Sequence, residues 1–122
     1  EAGKTRVVVC TLSELLDEYR AFIRASMNDE TPKYPRLNVE ELRQADTRYS
    51  IFLDDIDKAN PTEYAAEQVF GLVNAIYEFR HQLVVTTNKT IGKLIAHYNR
   101  SDDRGEPIVR RMMDGAKIVE MF

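Results

Sequence analysis

Ile51-Phe52-Leu53-Asp54-Asp55 is an apolar run, rich in β-branched and aromatic side chains, that ends abruptly in two carboxylates. It is too short for a typical helix and has the composition of a strand buried in a sheet; with Tyr49 and Ser50 it reads as a strand over 49–53. Residues 6–10, 83–86 and 117–121 share that character. Between them, apolar residues recur at helical spacing. Leu12, Leu15, Leu16, Tyr19, Phe22 and Ile23 make one stripe, and Thr11 with Glu14 forms a capping box that starts this helix directly after the first strand. A second helix is expected over 61–80, with Asn60 as its cap, Pro61 in its first position and Ala65, Ala66, Val69, Phe70, Val73, Ile76 and Tyr77 on its apolar face. Shorter helices are expected over 38–45, 90–98 and 106–114, the last stopped by Gly115. Residues 28–37 carry two prolines and read as a loop. Strand alternating with helix predicts an α/β domain whose parallel sheet is covered by helices on both faces.

At 122 residues the chain has room for one domain with its own core. Apolar residues at 43% and charged residues at 30% are ordinary for a soluble globular protein. Seventeen Lys+Arg against 20 Asp+Glu give a net charge of −3, which argues against a globally basic nucleic-acid coat and leaves room for a local basic patch. No apolar run approaches the ~20 residues that span a bilayer, and no signal-peptide pattern opens the chain. The single Cys10 excludes an internal disulfide and, with only His81 and His97 beside it, makes a poor zinc site. The expected compartment is cytoplasmic. The chain opens on Glu1 rather than methionine and reaches a strand almost at once, so its start reads as a cut edge.

In open parallel sheets, ligands bind beyond the carboxyl ends of the strands. Asp54 and Asp55 end one strand there, and Thr86, Thr87 and Asn88 end the next. The first run has the form of a Walker B motif: Asp54 would hold Mg²⁺, mostly through water, and Asp55 would act as the acid or base that polarises an attacking water. Paired aspartates that merely end a strand and open a turn are the alternative. Asn88 would position that water or touch a terminal phosphate, or else be a turn residue or helix cap before Thr90. Arg110 and Arg111 are either solvated or, in one case, an arginine finger reaching a neighbouring subunit's nucleotide. A phospho-acceptor receiver domain is set aside, because the first strand ends in Val9-Cys10-Thr11 and lacks the acidic pair such a domain needs.

The ordered blocks Ile51-Phe52-Leu53-Asp54-Asp55-Ile56, Glu67-Gln68-Val69-Phe70 with Val73-Asn74-Ala75 and Tyr77-Glu78-Phe79-Arg80, then Val84-Val85-Thr86-Thr87-Asn88, and last residues 106–115 resemble the DnaC/IstB-like branch of the AAA+ ATPases. These are bacterial helicase loaders and transposition helper ATPases. The resemblance runs from Ile51 to about Met121 and implies an AAA+ P-loop NTPase-like core. Asp54 and Asp55 match the family's Walker B acids, Asn88 its sensor-1 position, and Arg111 its box VII arginine, which acts across a subunit interface. Pro107 and Arg110 stand where the family often has arginine and serine. The family's phosphate-binding loop has no match here. Ala2-Gly3-Lys4-Thr5 has similar letters, but a P-loop lysine opens a helix, whereas Lys4 leads into a strand. The P-loop strand and helix are therefore expected to be missing, leaving a partial domain over 1–122 with a gap between the strands ending near Thr86 and Met121, to be closed by local rearrangement or by another chain.

The resemblance implies part of an ATP- and Mg²⁺-binding protein that oligomerises through its Arg111 face, assembles on DNA and loads a replicative helicase or assists a transposase. Without a P-loop this chain alone is expected to be inactive as an ATPase. The alternative function is a nucleotide-free interaction module derived from such an ATPase. Lys33, Tyr34 and Arg36 lie where relatives often place DNA-binding elements. A cationic groove with an aromatic platform would hold single strands, each stacked base contributing ~1–3 kcal/mol, and the alternative is a solvated loop whose tyrosine covers the core edge.

Overall fold

The structure, a computed structural model, describes residues 5–60, 62–99 and 105–121. In chain order it contains β1 (Thr5–Thr11), α1 (Leu12–Met27), α2 (Val39–Gln44), β2 (Arg48–Asp54), α3 (Glu63–Glu78), β3 (Gln82–Thr87), α4 (Ile91–Tyr98), α5 (Gly105–Gly115) and β4 (Ala116–Glu120). The four strands form one parallel sheet in the order β1-β2-β3-β4. The α/β class expected from the alternation is therefore present.

Local chemistry sets the helix starts. Thr11 Oγ1 accepts the Glu14 N–H at 3.1 Å while Glu14 Oε1 accepts the Thr11 N–H at 3.0 Å, so the capping box of α1 is complete. Asn38 Oδ1 accepts the Glu41 N–H at 2.8 Å and starts α2. Thr90 caps α4 through the Lys93 N–H. The cap of α3 differs from expectation: Thr62, not Asn60, accepts the Ala65 N–H, at 3.1 Å. Asn60 instead uses its carbonyl to take the Thr62 N–H in the preceding turn, at 2.9 Å. Pro61 and Lys4 lie outside the described residues. Thr5, the last residue of the P-loop-like tetrapeptide, is in a strand, the setting in which no P-loop threonine sits.

One expectation about the sheet is corrected. Among the described residues, helices cover one face rather than both. The register aligns Cys10, Leu53, Val85 and Ile118 in one row and Val8, Ile51 and Leu83 in another. These residues pack in a single core with Leu15 and Leu16 of α1, Leu42 of α2, Val69 and Ile76 of α3, Leu94 and Tyr98 of α4, and Ile108 and Met112 of α5. The opposite parity is bare: Val7 is 63%, Val9 57% and Phe52 38% exposed. The cause is topological. When strand order follows chain order, crossovers of one hand all fall on the same side of the sheet.

Between the last two strands the sheet closes within the chain itself, the first of the two expected outcomes. β3 and β4 are direct neighbours from Leu83↔Ala116 to Thr87↔Glu120, and the Met121 N–H extends the pairing to the Thr87 carbonyl at 2.7 Å. Helix α5 passes into β4 at Gly115–Ala116 without a loop.

Candidate functional site

The carboxyl ends of β2 and β3 are braced against each other by side chains where the strand ladder stops. That ladder runs from Ser50↔Gln82 to Leu53↔Val85. Beyond it the β2 chain turns sharply, and Asp55 takes a left-handed backbone with φ 56°. Such a conformation is uncommon for a non-glycine residue, aspartate being among those that accept it most readily. Thr86 replaces the missing ladder bonds. Its Oγ1 accepts the Asp55 N–H at 3.0 Å and donates to Asp54 Oδ1 at 3.2 Å. Its carbonyl takes the Ile56 N–H at 3.1 Å.

The next residues lock the other strand tip. Asp57 is buried, and its Oδ1 accepts the Asn88 N–H at 3.2 Å. Burial pushes the Asp57 carboxyl up, but backbone N–H groups of Asn88 and Asp57, the Thr87 hydroxyl and nearby Lys58 outweigh it, so its pKa lies below the ordinary carboxylate value. Thr87 Oγ1 accepts the Lys89 N–H at 3.0 Å. From the core side, Tyr98 donates its hydroxyl to the Ile56 carbonyl at 2.7 Å, and His97 Nε2 meets the Ala59 carbonyl at 2.9 Å. Asp54 and Asp55 are left half-buried and Asn88 exposed on this one edge.

Asp54, Asp55 and Asn88, singled out from the sequence, are thus brought together. Among the described residues no group of three or more His, Cys, Asp or Glu side chains is placed to hold a metal ion. A cation at this edge would have one or two carboxylates and would complete its shell with water and ligand oxygens. That donor set suits Mg²⁺ carried with phosphates rather than a protein-caged metal.

Arg111 is not part of this edge. It projects from α5 onto the C-terminal half of α3, where its Nε donates to Asn74 Oδ1 at 2.8 Å and its guanidinium lies 4.5 Å from the Tyr77 ring centroid. α3 leaves the acidic edge and descends toward the start of β3, so Asn74 and Tyr77 are near the amino-terminal end of the sheet.

Lys33, Tyr34 and Arg36 do lie together, on the loop beside α1, around a depression of about 230 Å³ that Glu18 also lines. Arg36 is tied down: Glu18 accepts its Nε at 2.7 Å and its backbone N–H at 2.8 Å, and the Val9 carbonyl accepts Nη1 at 3.4 Å. Tyr34 is exposed and rests on Phe22, ring centroids 5.2 Å apart. Lys33 is exposed.

Sequence reasoning missed Thr86, Asp57 and Asn74 as the residues that hold Asp54 and Asp55, Asn88 and Arg111. Thr86 and Asn74 were legible only as members of quoted runs and Asp57 belonged to none, since their partners lie 31 or more positions away. Among the described residues no helix is long and apolar enough to cross a membrane. No protein-family model matches the chain, and neither does any curated protein.

Proposed function

We propose that this chain is the acid-bearing part of an AAA+ ATPase similar to the DnaC/IstB-like helicase loaders and transposition helpers, working in the cytoplasm. The observation that supports it most is the braced edge: two carboxylates at the end of β2 beside Asn88 at the end of β3, all held by Thr86 and Asp57. On this proposal Asp54 faces Mg²⁺ through water, and Asp55 draws a proton from the attacking water. Asn88 orients that water or the terminal phosphate. Mg²⁺, when bound with ATP, would neutralise charge on the phosphates. Arg111 belongs at the opposite end of the fold, where it would serve a nucleotide held by an adjoining subunit. The P-loop would come from a segment outside these 122 residues. Lys33 and Tyr34, with Arg36 fixing their loop, form the candidate contact to single-stranded DNA, and a replicative helicase or a transposase is the partner that such an ATPase would serve.

One observation favours a second reading, the nucleotide-free interaction module: β3 and β4 already pair, so the sheet is continuous where the ATPase family places its P-loop strand. The test that separates the two is ATP turnover by the product of the complete reading frame, with Asp55→Asn and Arg111→Ala variants. Turnover abolished by both supports the ATPase. A protein that binds its partner but neither binds nor hydrolyses ATP supports the module. Alanine at Tyr34 and Arg36 with unchanged single-strand affinity would remove the DNA contact.

A further inference from the structure

The setting of Arg111 is more specific than a solvated arginine requires. Its planar group is held in two ways at once: Nε is bonded to Asn74 Oδ1, and one face is laid on the Tyr77 ring. Both holding residues come from α3, so the guanidinium bridges α3 and α5 in a fixed plane. Nη1 and Nη2 make no hydrogen bond or ion pair with a described residue, and neither is a buried, unsatisfied atom. Arg111 lines a cleft of about 720 Å³ together with Asn74, Tyr77, Glu78 and Arg80. Arg80 brings a second cation, on a backbone held at φ 61°, and Glu78 partly offsets the two. A guanidinium fixed through Nε and one face, with both terminal amino groups open, has the fork geometry that meets two oxygens of one oxyanion. Stacking on tyrosine restricts the side chain in advance, so less freedom is lost when the anion arrives.

We propose that Asn74 and Tyr77 are positioning residues that preset Arg111 as a receptor for a phosphate-type oxyanion, with Arg80 as the second cation of the same cleft. The proposal deepens the ATPase reading, on which the anion is the terminal phosphate of a nucleotide held by an adjoining subunit. The binding site itself rests on this geometry alone.

The test titrates the ¹⁵N-labelled chain with inorganic tripolyphosphate and follows the Arg111 Nε–Hε resonance, with amide spectra showing that each variant is folded. The wild-type signal should be present in the free chain and move on titration. Asn74→Ala and Tyr77→Leu should lose the free signal's dispersion and weaken binding about tenfold, whereas Tyr77→Phe, which keeps the ring face, restores it. Arg80→Ala should weaken binding and leave the free Arg111 signal in place. Should Tyr77→Leu fail to fold, Asn74→Ala decides alone. Binding that survives Arg111→Ala, or is unchanged in Asn74→Ala, overturns the proposal. In the product of the complete reading frame, Asn74→Ala should lower kcat for ATP about tenfold at constant KM, a split that a merely structural tie would not produce. If wild type shows no turnover, the ATPase reading fails while the tripolyphosphate titration still decides the cleft. If turnover depends on Asp55 yet ignores Asn74→Ala and Arg111→Ala, the ATPase reading stands and the proposed role of this cleft falls.

Discussion

Replacing Thr86 by valine keeps the β-branched shape of the strand end and removes one hydroxyl with two partners. The Asp55 N–H, 3.0 Å away, loses its acceptor, and Asp54 Oδ1, 3.2 Å away, loses its donor. An ordinary hydrogen bond contributes about 0.5–1.5 kcal/mol, and one to a charged group about 1.5–3 kcal/mol. The contact to Asp54 is long for an O–H donor, which places it at the low end of the second range. Both aspartates are half-buried, so water partly replaces what is lost. The expected destabilisation is about 1–2 kcal/mol. For a domain of this size that lowers Tm by roughly 3–8 °C. Urea denaturation followed by far-ultraviolet circular dichroism gives the free energy, and a cycle with Asp54→Asn isolates the Thr86–Asp54 coupling. A Thr86→Val protein within about 0.3 kcal/mol of wild type, with an additive cycle, would refute the bracing of the two strand tips.

Three further outcomes follow from the same geometry. At Asp55, with φ 56°, asparagine and glycine should be accepted while alanine costs about 1 kcal/mol relative to glycine, read by thermal unfolding; equal stability of alanine and glycine would contradict a left-handed residue there. Asp57 has a folded pKa below its unfolded value, so it adds stability above about pH 4 that disappears as pH falls through the folded pKa. The acid limb of the stability–pH curve should therefore flatten in Asp57→Asn, and an unchanged limb would reject the Asp57–Asn88 contact as its cause. Burial pushes the Cys10 thiol up to about 11, against a smaller opposing pull from Arg36. Labelling by a maleimide at pH 8 should be slow in the folded chain and fast in denaturant, and rapid labelling of native protein would show that this strand end opens.

The elements were legible because their signals are local. Thr11 with Glu14, and Asn38 with Glu41, announce helix starts within one turn, and the structure contains both caps. The start of α3 offered two polar residues around Pro61, and only geometry separates Thr62 from Asn60 as the cap. The bare sheet face was not legible. Val7-Val8-Val9 reads as a strand buried on both sides, and alternation cannot show that its outward valines face no helix. That depends on strand order, which is a property of the whole chain. The acidic edge was legible as residue types at strand ends, since Asp54, Asp55 and Asn88 follow apolar runs. How they are held was not. Thr86 reaches its partners across 31 and 32 positions, and Arg111 reaches Asn74 across 37. Only the parallel pairing of β2 with β3, and the packing of α5 on α3, bring those groups within hydrogen-bond distance.

The bare face and the continuous β3–β4 pairing bear on the same question. A parallel sheet is ordinarily covered on both sides, and an ATPase of the proposed kind would add a strand and a helix where this sheet is closed and bare. The two functional readings therefore differ in whether Leu83 and Ala116 remain neighbours in the complete protein. A disulfide engineered between β3 and β4 would be tolerated by the module and would block insertion of a P-loop strand.

The most direct measurement is Mg²⁺-dependent ATP turnover by the product of the complete reading frame, wild type against Asp55→Asn. The substitution suits the left-handed backbone and removes only the carboxylate. Turnover in the wild type that falls about 10²-fold or more in the variant, with stability retained, is the expected result. Absence of turnover in the wild type, or equal turnover in both, would contradict the assignment of this edge to nucleotide chemistry.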